Sequence, residues 1–362
     1  MNSAEVSAFR LTPSCVWSAF QNSGKRHIIL TGTRGSGKTT LLKGLFSDTL
    51  PGITTWAQPG KAVYMKENLT DIVVQVGVFD ASIVQRENRM VLYQDGFVSL
   101  GVPALERCIQ SESKWVSIDE IGFLEASCET YHAAVRKLMG HKQVAMVVRK
   151  QELPFLQELC SREDVFLVDL DDPFGNNGCV IMASGVGKRF GGNKLIADFK
   201  GEPLICRILE TTEGIFTERI VVTRHQEVAE LCRERGIVVV HHDLPNRNDT
   251  VRLGLEALGN VENCMFCQGD QPLLKKESVA ALALAARNNQ DLIWRAAFDD
   301  EQGSPVVFPQ WAFEQLRNLP EGKGGGVLIK KYPERLHFVN VQEMYELCDV
   351  DSPEDLIRLA GQ

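Results

Sequence analysis

The sequence predicts an α/β protein of two domains, and three observations carry that reading. The chain has 362 residues, more than one hydrophobic core usually serves. Strand-like and helix-like segments alternate through the first half, meet a break, and alternate again. Each half also opens on an apolar strand that runs into a glycine-rich, cationic loop. In the first half the loop is TGTRGSGKTT, Thr31 to Thr40; in the second it lies within VIMASGVGKRFGGNK, Val180 to Lys194.

In the first half HIILTGT, DIVVQVGVF, KWVSIDE, QVAMVVRK and DVFLVDL read as strands, and TTLLKGLF and ETYHAAVRKLM as helices. Such alternation predicts a parallel sheet covered on both faces. The stretch DDPFGNNG, Asp171 to Gly178, crowds Pro, Gly and Asn as a linker or sharp turn does. The first domain is therefore expected over residues 1–174 and the second over 178–362. The second half restarts with strands GCVIMAS, RIVVT, GIVVVHH and NCMFCQGD, and helices PLICRILETT, EVAELCRER and TVRLGLEAL. These predict a second, independent sheet.

A formal net charge of −8 argues against a nucleic-acid binder working by general attraction, which needs a basic face. An anionic ligand must then be held by local Lys, Arg and backbone N–H groups, or through a metal ion. No run approaches the roughly 18 apolar residues of a membrane span. The opening MNSAEVSAFRLTPSCVWSAF lacks a basic segment followed by an apolar core, so it does not read as a signal peptide. The expectation is a cytoplasmic protein with neither nucleic acid nor membrane as partner. The ten cysteines are scattered singly apart from Cys264 and Cys267, and are expected to be reduced thiols, mostly small core residues.

The segment Gly32-Thr33-Arg34-Gly35-Ser36-Gly37-Lys38-Thr39, with Thr40 beside it, fits G-x-x-x-x-G-K-[ST] without departure. Its glycines let backbone N–H groups turn inward around a phosphate, and the helix N-terminus adds its dipole. Lys38 is placed to reach the β- and γ-phosphates and the Thr39 hydroxyl to bind Mg²⁺. A glycine-rich surface turn is the competing reading; the strand before and the helix after argue against it. KWVSIDE ends in an acidic pair, Asp119 for Mg²⁺ and Glu120 as a base orienting the attacking water. Arg34, Arg149 and Arg162 are candidates for stabilising transition-state charge, against the plainer reading of surface arginines.

GTRGSGKTT, SIDEIGFLE with its trailing Glu125, ETYHAAVRKLM and LPFLQELCSREDVFLVDL together resemble the small nucleoside-triphosphatase family related to nucleotide kinases, over roughly residues 26–172. The resemblance implies a P-loop NTPase sheet and Mg²⁺-dependent hydrolysis of nucleoside triphosphates such as ATP or GTP, with loose base preference.

The second loop lacks the Gly-Lys-Thr ending and the register of G-x-G-x-x-G. Its glycines at 185, 187, 191 and 192 permit close backbone approach. Lys188, Arg189 and Lys194 suit a triphosphate whose leaving group is pyrophosphate. CMFCQGDQPLL sets Asp270 just beyond an apolar strand, and CDVDSPEDL sets Asp349 and Asp351 near the C-terminus. Carboxylates at strand ends of an open α/β sheet fall on its ligand-binding edge, and two of them can hold one Mg²⁺.

These segments resemble the nucleotidyltransferase superfamily with its G-x-x-x-R-F-G-x-x-K signature and G-D-x-P metal site. Within it they are most similar to the molybdenum cofactor cytidylyltransferase branch. Met182 to Lys194, KGEPL, TVRLGLEAL, GDQPLL, GSPVVF and DVDSPEDL carry the likeness over about residues 178–358. It implies a Rossmann-like, GT-A-like mixed sheet. Ala183, Ser184, Gly185, Gly187, Thr250 and Arg252 would border the nucleotide, Arg189 and Lys194 neutralise its triphosphate, and Asp270 and Asp351 hold Mg²⁺. The implied reaction is attack by the terminal phosphate of molybdopterin on the α-phosphate of CTP, expelling pyrophosphate, with a molybdenum hydroxylase apoenzyme as the implied partner.

Three rivals stand beside it: guanylyl transfer from GTP, a sugar-nucleotide pyrophosphorylase, and a cofactor-binding or insertion module powered by the first half. The chain departs from the pattern at Ser184, where relatives usually have Ala, and at Gly187, where they usually have Ser. It departs again at Lys323 and Val327, where an acid and an arginine are expected, and in the segment LPNRNDTVRLGL. Cys264-Met-Phe-Cys267 reads as buried strand rather than half a zinc site. His241-His242-Asp243 reads as a polar turn, and Trp294 as core.

Overall fold

The computed structural model describes residues 9–83 and 90–362. Its contacts divide the chain into two compact units. One is Gly24–Pro173; the other is Phe174–Gln362 together with the N-terminal segment that ends at Ser23.

The first unit contains strands β1 (His27–Thr31), β2 (Gly52–Gln58), β3 (Ala62–Glu67), β4 (Val73–Phe79), β5 (Met90–Leu92), β6 (Trp115–Ile121), β7 (Gln143–Val148) and β8 (Val165–Asp169). They form one sheet in the order β5-β4-β3-β2-β6-β7-β1-β8. From β2 to β8 the neighbours run parallel. The expectation of a parallel sheet needs correcting for β3, β4 and β5, which add antiparallel to β2 and to one another. For β3 the cause is a tight turn at Pro59-Gly60: Lys61 N–H bonds Gln58 O at 3.0 Å and Gly60 takes φ +67°. That is the Pro-Gly chemistry of a type II turn, too short for a helical crossover. β1 is buried along its whole length, as a central strand covered on both faces must be. Because β1 and β6 run the same way, the loop after β1 and the acidic end of β6 emerge on one edge.

The second unit contains β9 (Asn177–Ala183), a short ribbon of β10 (Asp198–Phe199) and β11 (Glu202–Pro203), then β12 (Glu218–Thr223), β13 (Val238–His241), β14 (Asn263–Gln268), β15 (Ile293–Phe298), β16 (Glu301–Pro309) and β17 (Leu336–Asn340). The main sheet has the order β13-β12-β9-β14-β16-β15-β17. Its first four strands are parallel and β16 is antiparallel to both neighbours, so the sheet is mixed and Rossmann-like. Cys264 and Cys267 are fully buried in β14, and Trp294 is fully buried in β15. All ten cysteines are free thiols.

The N-terminal helix Pro13–Gln21 corrects the expected first boundary. Its apolar stripe of Cys15, Val16, Ala19 and Phe20 is buried, and the helix packs against Lys276–Asn288 and β17. Asn22 then bonds Phe338 O at 3.0 Å and accepts from His337 at 2.9 Å. The partner helix carries the run VAALALAA, whose small side chains let another helix lie close. Among the described residues no helix is long and apolar enough to cross a membrane.

Candidate active sites

In the first unit the loop between β1 and the helix Lys38–Leu45 wraps a space its own backbone leaves open. Gly35 and Gly37 take φ +84° and +97°, a region that favours glycine. Lys38 Nζ spans the loop, donating to Gly32 O at 2.8 Å and Thr33 O at 2.7 Å. The Ser36 hydroxyl is buried with no partner among the described residues, as expected of a donor awaiting an anion. Thr39 Oγ1 donates to Asp119 Oδ1 at 3.0 Å, so a hydroxyl and a carboxylate already stand side by side as a hard-cation pair. Burial raises the Asp119 pKa, and the Thr39 hydrogen bond opposes that rise.

In a regular strand, consecutive residues point to opposite faces. Here the ladder slips between Asp119 and Ile121, and Glu120 reaches the cleft, paired with Arg149 Nε at 3.1 Å, while Asp119 stays buried against Thr39. The cleft holds about 840 Å³, with Arg34, Lys150, Phe79 and Met90 on its walls. Asp171 braces the loop from outside, accepting the Thr33 N–H at 2.8 Å and its hydroxyl at 2.9 Å.

Glu125 is buried and accepts the Gly122 N–H at 2.7 Å, which fixes the turn after the acidic pair. Burial pushes its carboxyl up to about 8. The sign follows from linkage: between the unfolded value of about 4.3 and about 8 the folded state holds the extra proton, so stability falls as pH rises through that window. Glu125→Gln keeps an acceptor for Gly122 and removes the ionisation. Its melting temperature relative to the parent is expected to climb from pH 5 to pH 8 and then level. A difference independent of pH would contradict the assignment.

In the second unit β9 delivers Ala183 into the core and Ser184 to the sheet edge. Ser184 Oγ donates to Val222 O at 3.1 Å and lies 2.8 Å from His242 Nε2, while His225 Nε2 donates to Gly185 O at 2.8 Å. Two histidines from neighbouring strand ends thus hold the start of the loop, and burial pushes His242 below the usual histidine range. Gly187 has φ +55°, and a Cβ there would stand 2.4 Å from Gly192 O. The loop closes on itself at that point, and the position suits glycine for that reason.

The charges converge beyond the loop. Lys194 is 7% exposed, and its Nζ meets Asp270 Oδ2 at 2.6 Å, Val350 O at 2.6 Å and Asp351 Oδ1 at 3.3 Å. Burial pulls the Lys194 pKa down, but Asp270 and Asp351 more than offset it, and the net direction is upward. Arg189 donates to the other Asp351 oxygen at 2.7 Å. Asp349 reaches solvent, yet lost solvation and then repulsion from Asp270 lift it to about 6. Among the described residues no group of three or more His, Cys, Asp and Glu forms a metal cage. Two carboxylates around one buried ammonium do fit Mg²⁺, which takes one or two carboxylates and leaves its other positions to phosphate and water.

Two adjoining cavities open in the same unit, and Gln268, which lines both, stands two residues before Asp270. One, of about 280 Å³, is lined by Ser184, Gly185, Val186 and Thr250; the other, of about 440 Å³, by Phe266, Phe308, Val306, Lys323 and Val327. They share Met182, Gln268 and Arg247.

Residues 27–173 match the model of an NTPase family, and residues 179–336 match that of the MobA-like NTP transferase domain. The chain joins an NTPase domain to a MobA-like NTP transferase domain. Over 158 residues it is 28% identical to the nucleoside-triphosphatase THEP1 of Thermotoga sp. (strain RQ2), covering 41% of this chain and 89% of the relative. Over 105 residues it is 33% identical to a probable molybdenum cofactor guanylyltransferase of Aquifex aeolicus, covering 28% of this chain and 50% of the relative. Over 120 residues it is 35% identical to a 3-deoxy-manno-octulosonate cytidylyltransferase of Alkalilimnicola ehrlichii, covering 31% and 45%. The chain thus spans about half the length of each of these two transferases.

In the NTPase domain the residues from Gly32 to Thr40, Asp119, Glu120, Arg34 and Arg149 come together, and Arg162 does not. It pairs with Asp164 at 2.7 Å, at the start of β8 and so at the far end of the sheet from the loop. In the transferase domain Arg189, Lys194, Asp270 and Asp351 meet, and Thr250 lines the smaller cavity. Arg252 belongs to neither cavity: it pairs along its own helix with Glu256 at 3.1 Å and Asp249 at 3.5 Å. Arg247, absent from the sequence-based set, stands in both cavities instead.

Proposed function

We propose that the transferase domain moves CMP from CTP to the terminal phosphate of molybdopterin, releasing pyrophosphate, while the NTPase domain hydrolyses nucleoside triphosphates such as ATP or GTP. The convergence of Arg189, Lys194, Asp270 and Asp351, with two adjoining cavities in the same domain, carries this reading. It offers neutralising charge where a triphosphate would bend and room for two substrates side by side. In that role Asp270 and Asp351 would hold Mg²⁺, which supplies charge neutralisation across the phosphates. Lys194 and Arg189 would exchange carboxylate oxygens for phosphate oxygens. The loop from Ala183 to Gly187, with Thr250, would border the nucleotide. Reactions of this kind rest on positioning and charge stabilisation rather than a side-chain nucleophile.

In the NTPase domain, Lys38 would take the β- and γ-phosphates, Thr39 and Asp119 would hold Mg²⁺, and Glu120 would orient water. The product would serve a molybdenum hydroxylase in the cytoplasm. A second reading is guanylyl transfer, favoured by the likeness to a guanylyltransferase. Mixing the protein with Mg²⁺ and molybdenum-loaded molybdopterin, then adding CTP, GTP or ATP separately, tests both. The expected result is pyrophosphate and dinucleotide with CTP and only when the pterin is present. The same products with GTP alone would favour the second reading; phosphate from all three without dinucleotide would contradict both.

A further inference from the structure

Arg247 stands where the two cavities meet. Of the three residues that line both, Met182 and Gln268 are register partners at the ends of β9 and β14, the adjacent central strands of the sheet. They form an uncharged floor. Arg247 is the only charged group among the three, and it opens the helix Arg247–Ala257 above that floor.

Its side chain is exposed, and among the described residues it makes no hydrogen bond or ion pair, although its charge is near enough to act on the Asp349 carboxylate. Neighbouring arginines are committed. Arg224 donates to Pro245 O at 3.4 Å, Arg295 to Gly303 O at 2.8 Å, and Arg252 to Glu256 at 3.1 Å.

The backbone around Arg247 is nevertheless fixed. Asn246 and Asp249 form a reciprocal cap on the helix. Asn246 Nδ2 also donates to Glu321 Oε1 at 3.1 Å, and the Gly322 N–H donates to Asn248 Oδ1 at 2.8 Å. The residues on either side of Arg247 are therefore clipped to one loop. Further along that loop, a Cβ on Gly324 would lie 3.1 Å from Arg247 Nε, so glycine lets the loop rest against the guanidinium stem. A clipped backbone carrying a guanidinium that no hydrogen bond occupies, over an uncharged floor, is a built anion contact.

We propose that Arg247 bridges the two substrates, holding an acceptor phosphate in the larger cavity against the α-phosphate of the nucleotide in the smaller one. The inference rests on the nucleotidyl-transfer reading and adds the residue that joins its two halves. A planar fork with five donors can serve two phosphates at once, which a lysine ammonium does less well. In the step itself an oxygen of the acceptor phosphate bonds to the α-phosphorus. The bond from that phosphorus to the bridging oxygen breaks, and its electron pair leaves with pyrophosphate. A phosphate monoester loses its second proton near pH 6, so around neutrality the attacking oxygen has no proton to give up. The requirement is to hold two anions together, and a base is not needed. It follows that Arg247 selects acceptors carrying a phosphate over those carrying a hydroxyl alone.

The test compares the full chain with Arg247→Gln and Arg247→Lys, using Mg²⁺, CTP or GTP, and molybdenum-loaded molybdopterin. Removing one preorganised donor of this kind typically costs about 10²–10³ in turnover. The Gln variant is expected to lose about 10²-fold or more in kcat, with the Kd for CTP raised less than about tenfold, and the Lys variant to fall between. Thermal melting checks the fold, which should hold because Arg247 makes no internal bond. Turnover of Arg247→Gln within about threefold of the parent would overturn the role of Arg247 and leave the transferase reading standing. Loss of CTP affinity equal to the loss of turnover would also overturn it, making Arg247 a nucleotide contact only. No pyrophosphate from the parent with either nucleotide would remove the transferase reading itself, and the bridging role with it.

Discussion

Asp270→Asn is expected to lower nucleotidyl transfer by about 10³-fold while NTP hydrolysis stays within about twofold of the parent. Asp270 is the carboxylate nearest the buried Lys194 ammonium, at 2.6 Å, and it sits directly beyond β14 on the ligand edge of the sheet. Asparagine keeps its shape and loses its charge. Lys194 would retain Val350 O at 2.6 Å and Asp351 at 3.3 Å, so the ammonium is not stranded. The fold should therefore survive, with a lower melting temperature. What disappears is one of the two carboxylates that would hold Mg²⁺ against the triphosphate, and the apparent Mg²⁺ requirement should rise accordingly. A steady-state assay of pyrophosphate release against Mg²⁺ concentration reads both effects. A loss of less than about tenfold would contradict the role given to Asp270.

Lys38→Ala is the matching change in the NTPase domain, and hydrolysis is expected to fall by about 10³-fold. The ammonium spans the loop on two of its own carbonyls, 2.8 and 2.7 Å away, so it is already positioned where phosphate oxygens would replace them. Alanine leaves the glycine backbone intact and removes the ammonium that bridges the loop's own carbonyls. Transfer by the other domain should be unchanged within about twofold, since its charges are its own. Phosphate release from ATP and pyrophosphate release from CTP, measured on one preparation, separate the two activities. Loss of both in Lys38→Ala would show that hydrolysis drives transfer.

Much of the geometry of both candidate sites is legible in the sequence because it is local. A phosphate loop needs its glycines, lysine and threonine within nine residues, between a strand and a helix, and the acids need only follow an apolar strand. Features that depend on which strands become neighbours were not legible. His242 looked like part of a polar turn; it meets Ser184 only because β13, β12 and β9 lie side by side. The helix Pro13–Gln21 precedes the first unit in sequence, yet its apolar stripe packs in the second, a long-range pairing with no local signal. The Pro59-Gly60 turn does carry a signal, and it marks β2 and β3 as an antiparallel pair. The sequence motif points to Arg252, and helix phase sets Arg247 at the cavities in its place. Residues five apart are rotated by about 140° on a helix, whereas Thr250, three residues from Arg247, lies within about 60° of it. The motif located the helix, and only the structure showed which face meets the cavity.

The most direct measurement follows two labels. CTP carrying ³²P at the α or at the γ position is incubated with Mg²⁺ and molybdenum-loaded molybdopterin, using the parent, Lys38→Ala and Asp270→Asn. The parent and Lys38→Ala should move the α label into the pterin dinucleotide and the γ label into pyrophosphate. Asp270→Asn should do neither, while the parent and Asp270→Asn, unlike Lys38→Ala, release γ label as free phosphate. An α label that never joins the pterin, or a single substitution that erases both fates, would contradict the account of two loops with separate chemistries.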